Sequence, residues 1–141
     1  MAVDILIVDD SLPMRSIIQK SIKASGFGNT NFFHATNGSE ALQVLREKHP
    51  HLVITDYNMP DMNGIELVEE MKHDERLKTI PVLVVSTEGS RLKIEEFIQK
   101  GAAGYIKKPF TPEMIKQKLI EILGEADKNE YPDNGAEDLD F

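Results

Sequence analysis

Val3-Asp4-Ile5-Leu6-Ile7-Val8-Asp9-Asp10 opens the chain with a nearly unbroken apolar run that stops on two acids. A strand with one solvated face would alternate apolar and polar residues. A run that is apolar at almost every position suits a parallel strand covered on both faces. Residues 52–55 and 82–86 repeat the pattern, and shorter runs lie at 31–35 and 104–107. After each run the apolar spacing becomes helical: Met14, Ile17, Ile18 and Ile22; Ala41, Leu42 and Leu45; Ile65, Val68 and Met71; Ile94, Phe97 and Ile98; Ile115, Leu119 and Ile122. Gly26, Gly101 and Gly124 read as helix stops, and Thr111-Pro112 as a helix start. Asn37 with Glu40, and Asn63 with Glu66, have capping-box spacing. Strict alternation of strand and helix predicts an α/β fold with a parallel five-stranded sheet and right-handed crossovers. The run at 31–35 is the weakest strand signal.

Composition narrows the functions. The 141 residues carry 16 Lys and Arg against 24 Asp and Glu, a net charge of −8. That balance argues against direct nucleic-acid binding, which needs basic surface. With no cysteine there is neither disulfide nor thiolate chemistry. The apolar runs are too short for membrane insertion, and the first residues lack the pattern of a signal peptide. A cytoplasmic protein is expected. The acids concentrate at the end: residues 125–141 hold seven acids and one base, against a net charge of only −2 over 1–124. The chain therefore divides into a folded domain, 1–124, and an acidic C-terminal tail, 125–141, that is too polar to fold by itself.

In an open parallel sheet, ligands bind beyond the carboxyl ends of the strands. The residues at those ends are Asp9-Asp10, Asp56, Ser86-Thr87 and Lys107-Lys108-Pro109. If the first and third strands are neighbours, three carboxylates share one crevice. Two of them about 5 Å apart repel by ~3 kcal/mol at an effective dielectric near 20. A divalent cation relieves that repulsion, and an all-oxygen donor set suits Mg²⁺ or Mn²⁺ rather than zinc. A lysine and a hydroxyl at the same edge complete a phosphoryl-transfer site with an aspartate nucleophile. Taken singly, each residue has a plainer explanation: an Asp pair caps a helix, a Ser closes a strand, a Lys is solvated. The combination is what points to chemistry.

These residues resemble the receiver domains of bacterial two-component response regulators, of the stand-alone, CheY-like type. Ile5-Leu6-Ile7-Val8-Asp9-Asp10-Ser11 is similar to their acidic opening. Asp56-Tyr57-Asn58-Met59-Pro60-Asp61-Met62-Asn63-Gly64 resembles their phosphoacceptor loop, and Lys108-Pro109-Phe110 their lysine motif. The resemblance covers about residues 3–123. It implies a flavodoxin-like (βα)5 fold with strand order 2-1-3-4-5. It further implies that Asp56 accepts a phosphoryl group from a histidine kinase. Asp10, Asp56 and the carbonyl of Asn58 would ligate Mg²⁺, with Asp9 acting through a metal-bound water. Ser86 and Lys108 would bind the phosphoryl group, and Lys108-Pro109 would be a cis peptide. Tyr105 would change rotamer as Ser86 moves. Output would pass to a downstream protein through the face of the fourth helix, fifth strand and fifth helix, with the protein a monomer.

Some positions depart from the pattern. Thr87 follows the switch hydroxyl where a smaller residue is common, and its bulk narrows access to the phosphoryl group. Asn58 and Glu88 resemble the chemotaxis pattern and imply relatively fast self-dephosphorylation. Lys107 places a charge in the fifth run, where it would block pairing at a sheet edge. His49-Pro50-His51 reads as a loop rather than a metal site, and the methionines as core or loop residues. Chemotaxis is the first expectation for the pathway, and a phosphorelay or stress-signalling receiver the alternative. An FMN carrier would need a phosphate loop in place of Asp9-Asp10-Ser11, and an aspartate-nucleophile phosphatase an Asp-x-Asp motif. Neither is present, so a switch rather than an enzyme is expected.

Overall fold

The computed structural model describes residues 2–27, 29–87 and 89–130. Strands and helices alternate in chain order: β1 (Val3–Val8), α1 (Leu12–Ala24), β2 (Thr30–Ala35), α2 (Gly38–Lys48), β3 (Leu52–Asp56), α3 (Gly64–Lys72), β4 (Val82–Ser86), α4 (Arg91–Gln99), β5 (Gly104–Lys107) and α5 (Pro112–Glu130). The five strands pair in parallel in the order β2-β1-β3-β4-β5. Placing β1 between β2 and β3 makes the ends of β1 and β3 adjacent, with Val8 opposite Thr55.

The unbroken apolar runs follow from the two-sided cover. Alternate residues of each strand enter opposite cores. Ile5, Ile7, Leu52, Ile54, Leu83 and Val85 pack with Ile18 and Ile22 of α1 and Ile115 and Leu119 of α5. Leu6, Val8, Val53, Val82 and Val84 pack with α2, α3 and Phe97 of α4. Each fully buried Leu or Ile contributes roughly 1.5–3 kcal/mol by leaving water. The helices differ in how firmly they are held. Five residues of α3 are buried, but only Phe97 of α4.

Local signals explain most helix ends. Ser11, Asn37, Asn63 and Ser90 each accept a hydrogen bond from a backbone N–H three residues on. Asn63 and Glu66 form a complete capping box. The pair Asn37 and Glu40 does not: Glu40 reaches back one residue further, accepting from the backbone N–H and hydroxyl of Thr36. The expected stop at Gly124 is corrected as well. α5 continues to Glu130, because no proline intervenes and glycine within a helix costs only about 1 kcal/mol relative to alanine. The expectation that 125–141 forms a separate acidic tail falls, for 131–141, outside the described residues. Ile17 and Ile98, assigned to helix core faces by spacing, are half exposed. Ile17 instead lines a surface cleft described below.

Leu6 is fully buried at the centre of the sheet. Leu6→Ala should therefore lose about 2–5 kcal/mol of stability in urea unfolding. Asn63→Ala should lose about 1 kcal/mol through its cap.

Candidate functional site

The carboxyl edge of the sheet gathers three carboxylates. β1 delivers Asp9 and Asp10, and β3 delivers Asp56. One carboxylate oxygen from each lies within 4.8 Å of the other two. Asp9 and Asp56 are buried, at 2% and 8% exposure, and Asp10 faces solvent. Asp9 Oδ1 accepts the Ser11 N–H at 2.9 Å, so the turn that starts α1 also orients the carboxylate. Asp9 thus makes the turn, while the cap of α1 is Ser11, whose hydroxyl accepts the Met14 N–H. Asp9 Oδ2 is buried and accepts no hydrogen bond. Burial, and secondarily the charges of Asp56 and Asp10, push the Asp9 carboxyl above its ordinary range; the Ser11 N–H and Lys108 oppose that rise.

β5 supplies the counter-charge. Register places Ser86 opposite Lys107, and the Lys108 N–H donates to the Ser86 carbonyl at 2.8 Å. Lys108-Pro109 is a cis peptide. Lys108 Nζ donates to Asp56 Oδ1 at 3.0 Å and lies 3.9 Å from Asp9 Oδ2. Ser86 is fully buried at the end of β4, and Thr87 and Asn58 are exposed. Glu88 lies outside the described residues. A cleft of about 380 Å³ opens beside the site, lined by Met14, Ile17, Thr87, Lys108, Pro109 and Phe110. Lys107 is exposed at the end of β5, an edge strand.

The loop after Asp56 is pinned by contacts that leave no room. The Gly64 N–H donates to the Tyr57 carbonyl at 2.8 Å, and a Cβ at Gly64 would fall 2.7 Å from the Asp56 carbonyl. Tyr57 stacks at 5.2 Å on Phe97, which meets Tyr105 at 5.6 Å, and Lys93 Nζ sits 5.0 Å from the centre of the Tyr57 ring. This row of rings links the Asp56 loop to β5.

Two contributors escaped the reading of the sequence. Arg15 is buried, and its Nη1 donates to the Asp9 carbonyl at 2.6 Å. Its Nε donates to His34 Nδ1 at 3.2 Å. The available signal was helical spacing, since Arg15 shares the inward face with Ile18 and Ile22.

The response regulator receiver domain family matches over residues 5–120. The chain is 39% identical over 124 residues to the chemotaxis protein CheY1 of Helicobacter pylori, covering 87% of this chain and 98% of that one. It is 44% identical over 119 residues to the chemotaxis protein CheY of Pseudomonas aeruginosa, covering 84% and 94%. The crystal structure of Vibrio cholerae chemotaxis protein CheY4 superposes with a TM-score of 0.78 at 32% identity, over 87% of this chain and 100% of that one.

The ionised Asp9 has a pH signature. Its carboxyl is raised above 3.8, so between 3.8 and the raised value the native state binds more protons than the unfolded state. Stability from this group therefore falls as pH rises through that window. In Mg²⁺-free buffer, Asp9→Asn should melt at a higher temperature than wild type at pH 7. The difference should vanish as the pH drops to 3.8, which a series of thermal melts measures.

Proposed function

The chain belongs to the response regulator receiver domain family, and on that premise we propose that Asp56 is its phosphoacceptor and Lys108 the cation that senses the phosphoryl group. The protein is a phosphorylation-dependent signalling switch. The observation that carries the assignment of Asp56 is its geometry: a buried carboxylate, paired to Lys108 at 3.0 Å, with two further carboxylates beside it.

The chemistry follows from these groups. An oxygen of Asp56 attacks the phosphorus of a phosphohistidine, forming an O–P bond as the N–P bond breaks. The leaving imidazole takes up a proton, and the aspartate becomes an acyl phosphate. Lys108 transfers its hydrogen bond from the carboxylate to the phosphoryl oxygens, and the Ser86 hydroxyl donates to the same group. Mg²⁺ fits the donor set: three carboxylates, one with a buried oxygen that accepts no hydrogen bond. Asp10, Asp56 and the Asn58 carbonyl would hold the ion, with Asp9 behind them. Bound there, it would neutralise charge on the phosphoryl oxygens. Labelling is then stoichiometric, one phosphoryl group per molecule, as befits a switch.

The phosphodonor is a histidine kinase. Chemotaxis is the pathway assigned first, because relatives at 39% and 44% identity carry that name; a phosphorelay or stress-signalling role is the second reading. Residues 1–124 form the switching unit. Output is assigned to the face of α4, β5 and α5, where Arg91 and Lys107 are exposed and Tyr105 and Lys116 half buried. The row of rings from Tyr57 to Tyr105 supports this choice, since it runs from the Asp56 loop to that face. Among the described residues no helix is long and apolar enough to cross a membrane.

With Mg²⁺ and acetyl phosphate, intact mass should rise by one phosphoryl group in wild type and not in Asp56→Asn. Equal labelling of both overturns the assignment. Lys108→Ala should still be labelled, more slowly. Beryllofluoride should shift NMR resonances at Tyr105, Lys107 and Lys116, and shifts confined to the loops around Asp9, Asp56 and Lys108 would exclude this output face.

A further inference from the structure

Arg15 is a buried guanidinium with no carboxylate oxygen within 4.0 Å among the described residues. Burying such a charge without an anion is expensive, so its hydrogen bonds must be good ones. Nη1 donates to the Asp9 carbonyl at 2.6 Å, and Nε to His34 Nδ1 at 3.2 Å. The first falls on the peptide that joins Asp9 to Asp10. A rotation of that peptide would swing both carboxylates. The second determines the state of the imidazole. Guanidinium only donates, so Nδ1 must be the bare nitrogen. The ring proton then sits on Nε2, which faces Gln19 Oε1 at 2.9 Å and donates to it. Within the chain Gln19–His34–Arg15–Asp9, the link from Arg15 to His34 is the one that requires the neutral imidazole.

We propose that Arg15 is a positioning residue for the acidic site, anchored by His34 and holding the Asp9–Asp10 peptide in the orientation that presents both carboxylates. This rests on the reading of Asp9, Asp10 and Asp56 as the site of Mg²⁺ and phosphoryl binding. Protonating His34 turns Nδ1 into a donor that faces the Arg15 donor, and the anchor is lost. The groups around His34 are Arg15 and Gln19 of α1; across the guanidinium, Glu40 of α2 lies close enough to feel the Arg15 charge. Partial burial, and then the charge of Arg15, hold His34 below its ordinary 6.5. The anchor is thus intact above pH 6.5 and is lost as the pH falls through the lowered value.

The test uses the whole chain, with Mg²⁺ alone as ligand. Arg15→Lys keeps the charge but not the fork, and should weaken Mg²⁺ binding at pH 7.5 by about 10-fold in calorimetry, the usual scale for groups that orient metal ligands. His34→Gln keeps an acceptor that cannot be protonated. Between pH 7.5 and 5.0, wild type should lose ~10-fold more Mg²⁺ affinity than His34→Gln. In wild type, the amides of Asp9, Asp10 and Ser11 should show a titration phase with the midpoint of the His34 ring, absent from His34→Gln. Should Arg15→Lys fail to fold, the His34→Gln comparison decides alone. Equal pH dependence of Mg²⁺ affinity in the two proteins, or the same amide phase in both, overturns the proposal. Absence of Asp56 labelling in wild type would instead overturn the reading of the acidic site as the place of phosphoryl binding, on which the proposal rests.

Discussion

Charge crowding at the carboxyl edge of the sheet is the constraint on which the rest of the molecule turns. Parallel pairing of β1 with β3 forces Asp9, Asp10 and Asp56 together, two of them largely out of water. Left alone, this arrangement would destabilise the fold. Lys108 relieves part of the repulsion, and it reaches the site because β5 ends beside β4. Arg15 approaches from below, binding a carbonyl rather than a carboxylate and leaving the acids available. Folding and binding are thereby set against each other. The groups that cost the empty protein stability are those that a cation and a phosphoryl group would satisfy.

Much of this was legible before any coordinates. The first, third and fourth runs could hardly be anything other than doubly covered strands, and alternation with helices led to the parallel sheet. Strand order 2-1-3-4-5 came from the resemblance. It is what the carboxylates required. The acids, Ser86 and Lys108 stood out because a charged or polar residue at the end of an apolar run has few structural uses. What spacing misjudged were questions of neighbourhood. Helical periodicity says which residues share a face, not whether a partner covers them, so Ile17 and Ile98 were read as core. A capping box defined by spacing cannot distinguish Asn37 from Thr36 as the residue Glu40 reaches back to. Gly124 reads as a stop only if its backbone turns left-handed, and it remains in the helix.

Arg15 and His34 show a further limit. Each is unremarkable in its own segment, a basic residue on a helix and a histidine in a strand. Their partnership joins α1 to β2 across nineteen positions of chain, and exists only because β2 lies beside β1. Tyr57, Phe97 and Tyr105 are similar: three aromatic residues from a loop, a helix and a strand, which meet only because Phe97 of α4 packs between the other two.

That resting place has an energetic implication. α3 is fastened by five buried residues, whereas α4 has a single buried peg, Phe97, with Leu92 80% exposed. Burying one such side chain is worth roughly 1.5–3 kcal/mol. Moving a two-state equilibrium from one side to the other needs about 5.5 kcal/mol of differential affinity. A single new covalent group and its hydrogen bonds can supply energies of that order, but not those needed to lift a helix with a full apolar face. Of the two helices, α4 is the one whose hold on the sheet lies within reach of an input of that size. α4 thus rests on one buried side chain, while the cores on either side of the sheet are closed by many.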